Sequence, residues 1–222
     1  MSTPYRHPHL SRIERAIDAL TAERARLLDA PPSVAYQGAP GAFSDEAARL
    51  FFPGAATLVP LRTLNDVFAA MSRQDVEFAV VPVENTLAGF VPGCLQKIRE
   101  SRAHVIGERI LRIAQSAMGV PGASLTGARV VRSHPVALAQ CARFLAAHPH
   151  LSAEDAFDTA GAVAEMMRGG DPGVLAIGSA HAARHYGAVV LAEEVQDVAA
   201  NFTRFVLLGQ EAIADSTLVD VT

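Results

Sequence analysis

The sequence predicts an α/β protein built as two lobes. Two observations carry that reading. Short apolar runs alternate with helical patterns of about ten residues from Ser33 onward, the rhythm of βαβ units and a parallel sheet. The same rhythm restarts near Ala128 with no flexible linker or low-complexity tract between, which favours two lobes joined by crossing strands.

Each element has its own signal. Leu10, Ile13, Ile17, Leu20, Leu27 and Leu28 form one apolar stripe among charges, an amphipathic helix closed by Ala30-Pro31-Pro32. Its face suits packing or dimerisation, so a homodimer is expected. Ser33 to Tyr36 is a strand ended by Gly38-Ala39-Pro40-Gly41. A helix through Phe51, a strand over 56–60, a helix from Leu64 to Ser72 and a strand from Phe78 follow. Phe78 to Val83 is apolar almost throughout, as a strand buried on both faces must be. In the second half come a strand at 128–131, one helix from Val136 to Ala147, and a helix from Ala162 to Arg168. A strand over Val174–Gly178, a helix from Ala180 to Tyr186 and a last strand near Phe205 to Leu208 complete the order. The expected organisation is a helical extension over 1–32, a first lobe from 33–110 with 198–222, and a second lobe from 111–197.

Composition excludes several functions. The 222 residues are 50% hydrophobic and 19% charged, with 19 basic and 23 acidic side chains and a net charge of −4. A phosphate-backbone binder needs a basic excess or stripe, so no nucleic acid is expected. No apolar run reaches the roughly 18 residues of a membrane span, and the polar start Met1 to Leu10 is no secretory signal. A cytoplasmic protein is expected. Cys94 and Cys141 stand far apart and read as packed thiols. His181 and His185 lack the Glu of a zinc helix, and His148-Pro149-His150 lacks neighbouring ligands, so no metal is expected.

Chemistry is sought where strands run into helices, because ligands bind at the carboxyl ends of such strands. Four loops qualify: Gln37 to Gly41, Glu84-Asn85-Thr86, Ser133-His134-Pro135 and Asp158-Thr159-Ala160. Asn201-Phe202-Thr203-Arg204-Phe205 opens the last strand. Each alone reads equally well as a turn or cap. Together they offer Gln37, Asn85, Thr86, Ser133, Thr159, Thr203 and one strong cation, Arg204, an inventory suited to a small anion bearing carboxylates and hydroxyls.

The ordered set Gly38-x-x-Gly41-x-Phe43-Ser44, Val81-Pro82-Val83-Glu84-Asn85-Thr86-x-x-Gly89, Gly107-Glu108, Ser133-His134-Pro135 with Gln140-Cys141, Thr159-Ala160-x-Ala162 and Asn201-x-Thr203-Arg204-Phe205 resembles the catalytic domain of prephenate dehydratases. The resemblance runs from about Val34 to Leu208. It implies a two-lobed fold like that of type II periplasmic binding proteins, with the active site in a cleft between lobes, and conversion of prephenate to phenylpyruvate without a cofactor. It implies that Thr203 is the catalytic threonine, with Asn85 and Gln140 as polar partners. Glu84, Thr86, Ser133, Thr159, Arg204, Phe205 and Gly38 become candidate substrate contacts, Arg204 as a carboxylate clamp or else a salt bridge. Val136 and Gln115 replace the Gln and His common at their positions, leaving prephenate and its amino analogue arogenate both open. The family's regulatory ACT domain is not expected after Leu208. Two other readings fit the same residues: a non-aromatising prephenate decarboxylase, and a non-catalytic small-anion binding module.

Overall fold

The computed structural model describes residues 31–210, together with Ile17, Leu20 and Thr21. The expected first helix otherwise lies outside the described residues. Within them the chain forms two compact units. One gathers residues 31–37, 47–111 and 203–210, and the other gathers Gly38–Glu46 and Arg112–Phe202.

The first unit is a mixed sheet with helices. Its strands are β1 (Ser33–Gln37), β2 (Thr57–Leu61), β3 (Phe78–Asn85), β4 (Gly89–Phe90), β5 (His104–Arg112) and β11 (Phe202–Gly209). The order is β2-β1-β3-β11-β5, with β4 paired to β3. β1 runs parallel to β2 and β3, whereas β11 lies antiparallel to β3. Helices α2 (Leu64–Ser72) and α3 (Cys94–Glu100) accompany it, together with residues 47–51 of α1 (Phe43–Phe51), whose first four residues belong to the second unit. α2 begins where Thr63 and Asp66 exchange bonds in a capping box. Val67 and Met71 of α2 pack with Ala79, Val81 and Val83 of β3, Val206 and Leu208 of β11 and Cys94 of α3. Val80, between those β3 residues, is also fully buried, so β3 is covered on both faces as its apolar run requires.

The second unit carries β6 (Ser116–Gly119), β7 (Val130–Ser133), β8 (Ser152–Asp155), β9 (Val174–Gly178) and β10 (Val189–Ala192), in the order β10-β6-β9-β7-β8. Helices α4 (Pro135–Ala139), α5 (Ala142–Ala147), α6 (Thr159–Gly169) and α7 (Ala180–Tyr186) complete it. Alternation along the strands divides its core in two. Met118 and Ala176 meet Ala160, Val163, Met166 and Ala182 of α6 and α7. Ala117, Val131, Leu175 and Ile177 meet Leu138 and Cys141 of the other helical layer.

Three expectations are corrected. The sheets are mixed rather than parallel, because β11, β6 and β10 each pair antiparallel to a neighbour. Alternating strand and helix signals give succession, not direction. The single helix over Val136–Ala147 is two helices, broken at Gln140 and Cys141. There Asp197 N–H donates to Gln140 O at 2.7 Å and Asp197 Oδ1 accepts from Arg143 N–H at 2.9 Å, so a distant loop takes groups the helix ladder would use. Glu84-Asn85-Thr86 does not enter a helix; it turns back into β4 as a hairpin. Among the described residues no helix is long and apolar enough to cross a membrane.

Candidate active site

The first unit places Thr203 of β11 directly opposite Asn85 of β3. Asn85 Nδ2 donates to Thr203 Oγ1 at 2.9 Å. The amide cannot be turned the other way, because Asn85 Oδ1 accepts from the backbone N–H groups of Leu87 and Ala88, both at 2.9 Å. The hairpin turn therefore orients Asn85, and Asn85 in turn orients the threonine. With one lone pair of Oγ1 engaged, the hydroxyl hydrogen has no acceptor among the described residues and stands ready to donate. Thr203 is 8% exposed, so such a donation is made with little competition from water.

Arg204 does not join this pair. Successive residues of a strand point to opposite faces, and Arg204 is registered with Glu84, the neighbour of Asn85. Its guanidinium lies 3.3 Å from Glu84 Oε2 and 3.7 Å from Glu108 Oε2. Of the two expected roles, clamp or salt bridge, the contacts present are those of a salt bridge: Arg204 pairs with Glu84 on the face away from Thr203, with Glu108 beside it. Phe205 is 2% exposed and packs among the buried hydrophobic residues. Thr86 is exposed in the β3–β4 turn.

The second unit brings Gln140 to Asn201. Asn201 is fully buried, its carbonyl accepts from Ile113 N–H at 2.8 Å, and its Nδ2 donates to Gln140 Oε1 at 3.0 Å. Gln140 caps α4 at the helix break, and with Oε1 engaged its Nε2 keeps its hydrogens to donate. Ser133 lies at the end of β7, fully buried, its hydroxyl donating to Ile177 O at 2.6 Å. Ser133 is thus the last residue of a strand rather than part of a loop, and its hydroxyl ties β7 to β9. Thr159 is the first residue of α6 behind its N-cap Asp158. Gly38 has φ +107, in the left-handed region, and lets the chain turn from β1 toward α1.

Sequence reasoning missed one constellation in this unit. Asp45 is fully buried, and its Oδ2 accepts from Gly41 N–H at 2.7 Å and from His181 Nε2 at 3.1 Å. The spacing of four positions from Gly41 to Asp45 was a visible signal; His181, 136 residues from Asp45, was not. Two other histidines have simple partners: His148 Nδ1 meets Phe144 O, and His150 Nε2 meets Leu125 O. Among the described residues no three potential metal ligands gather.

Comparison with known proteins decides the family. The family model for prephenate dehydratase matches residues 34–213. The chain belongs to the prephenate dehydratase family. It is 37% identical over 177 residues to a bifunctional N-acyl-homoserine lactone acylase/prephenate dehydratase of Komagataeibacter europaeus, covering 80% of this chain and 62% of that protein. It is 33% identical over 211 residues to arogenate dehydratase/prephenate dehydratase 1 of Arabidopsis thaliana, a chloroplastic protein, covering 95% of this chain and 53% of that one. The crystal structure of prephenate dehydratase from Arthrobacter aurescens in complex with L-Phe matches with a TM-score of 0.74 at 26% identity, over 82% of this chain and 61% of that one. This dehydratase-family chain thus spans roughly half to two thirds of the relatives it matches.

Proposed function

We propose that this chain converts prephenate to phenylpyruvate as a carbon–oxygen lyase in phenylalanine biosynthesis. The bond between the ring and its carboxylate breaks and its electron pair enters the ring. The C–O bond across the ring breaks with its pair on oxygen. Carbon dioxide leaves, and the oxygen departs as water once protonated. The ring becomes aromatic, which supplies the driving force, so the protein's task is to hold the substrate and support the departing oxygen.

The observation that carries this reading is the polarity of the Asn85–Thr203 pair. A threonine whose oxygen already accepts a hydrogen bond has its hydrogen to offer, and a leaving oxygen gathering negative charge is the acceptor that benefits most. Thr86 of the first unit and Gln140, Gly38 and Thr159 of the second are further proposed substrate contacts. The family membership and relatives named for prephenate and arogenate support the same reading. The acylase activity named for one relative is not proposed at Thr203. Its partner Asn85 is a donor, and a donor cannot take the proton an attacking hydroxyl must lose.

Mixing the protein with prephenate and following ultraviolet absorbance in alkali tests the proposal. Phenylpyruvate is the expected product. A non-aromatic product would establish the decarboxylase instead, and no turnover of prephenate or arogenate would leave a binding module. A cytoplasmic homodimer belongs to the same proposal, and sedimentation at twice the 23.4 kDa chain is expected.

A further inference from the structure

The Gly38–Gly41 turn is gripped by the first turn of α7. Gly41 N–H donates to Asp45 Oδ2 at 2.7 Å, and Gly41 O accepts from Ser179 Oγ at 2.8 Å, so both polar groups flanking its Cα are engaged. Its φ is +87, and a Cβ there would stand 2.8 Å from Ala182 Cα. Ser179 is the N-cap of α7, and its Oγ also accepts from Ala182 N–H at 2.9 Å. Two residues on, His181 donates from Nε2 to the Asp45 oxygen that binds Gly41. A carboxylate oxygen accepts only, so Nε2 must carry the hydrogen. Asp45 has no solvent exposure, and the His181 side chain is 18% exposed. A buried carboxylate depends on every donor it has, and losing one lets it seek another partner.

We infer that His181 and Asp45 are positioning residues for the Gly38–Gly41 turn. His181 holds the carboxylate, the carboxylate holds Gly41 N–H, and the turn bearing Gly38 is presented to the substrate in one conformation. The inference rests on the dehydratase reading, in which Gly38 is a substrate contact. It concerns neither bond-breaking nor the Thr203 pair, so its signature is in substrate affinity rather than turnover.

The test uses the full chain, with steady-state kinetics on prephenate and arogenate and amide hydrogen exchange over 38–46. His181→Leu removes the donor. It is expected to raise KM about fivefold, within the range of one lost hydrogen bond, with kcat within about twofold, and to speed exchange at Gly41 about tenfold. His181→Gln carries an amide nitrogen close to the Nε2 position and is expected to restore both. Unchanged KM and exchange in His181→Leu, or no rescue by a folded His181→Gln, would overturn the inference. Should His181→Leu fail to fold, His181→Asn replaces it, because its nitrogen falls short of Asp45. KM and exchange must then rise for Asn and not for Gln. If the parent protein turns over neither substrate, the dehydratase reading falls, while exchange at Gly41 still decides whether His181 holds the turn.

Discussion

Asn85 and Thr203, 118 residues apart in sequence, meet side chain to side chain at 2.9 Å across neighbouring antiparallel strands. Two backbone N–H groups of the following turn decide which end of the amide faces the threonine. The direction of that single hydrogen bond is what the proposed chemistry depends on.

Thr203→Val keeps shape and removes the donor. Turnover of prephenate is expected to fall by about 10²–10³, the usual effect of losing one donor to a developing oxyanion, with KM changed less than about threefold. Thr203→Ser is expected to keep most of the activity. Stopped assays of phenylpyruvate for the three proteins measure this, and a valine variant within threefold of the parent would refute the role.

Asn85→Asp is the sharper variant. The new carboxylate can still accept from Leu87 and Ala88, so the hairpin turn and the melting temperature should survive. It cannot donate to Thr203, however, and would draw the threonine hydrogen toward itself. An activity loss of about tenfold or more is expected with an unchanged circular-dichroism melt.

Arg204→Lys distinguishes an ion pair from a bidentate clamp. Glu84 and Glu108 accept from a lysine as well as from an arginine, so KM is expected to stay within about threefold. A loss of affinity of tenfold or more would return Arg204 to the substrate.

Burial pushes both thiols up from the ordinary value of 9.0, Cys94 to about 11 and Cys141 to about 12, the latter helped by the charge of Asp197. A raised thiol pKa in the folded state means that the unfolded chain loses its protons first. The stability tied to these groups is whole below about pH 9 and declines from there toward pH 11 to 12. Urea melts between pH 8 and pH 11 should show that decline, and Cys94→Ala with Cys141→Ala should flatten it. Native protein should react with a thiol reagent at pH 8 only after unfolding.

Much of the scaffold was legible because its signals are local. β3 and β9 declare themselves as continuous apolar runs, and Gly38-Ala39-Pro40-Gly41 marks the turn between β1 and α1. β5 was not read, since His104, Glu108, Arg109 and Arg112 interrupt its apolar residues. β8, Ser-Ala-Glu-Asp, carries almost no hydrophobic signal. The break at Gln140 has no glycine or proline to announce it and comes from Asp197, far along the chain. Site residues were named by motif, but their pairing was not. Nothing local says that Arg204 answers Glu84 while Thr203 answers Asn85; strand register decides that.

The place of β11 in its sheet bears on how the molecule is made. It lies between β3 and β5, yet it is the final strand of the described chain. While a ribosome is still extending the polypeptide, β3 and β5 must wait with facing edges unfilled until residues 202–209 emerge. A nascent chain stalled before that point would expose two sticky borders to chaperones or aggregation, and would lack Thr203 altogether.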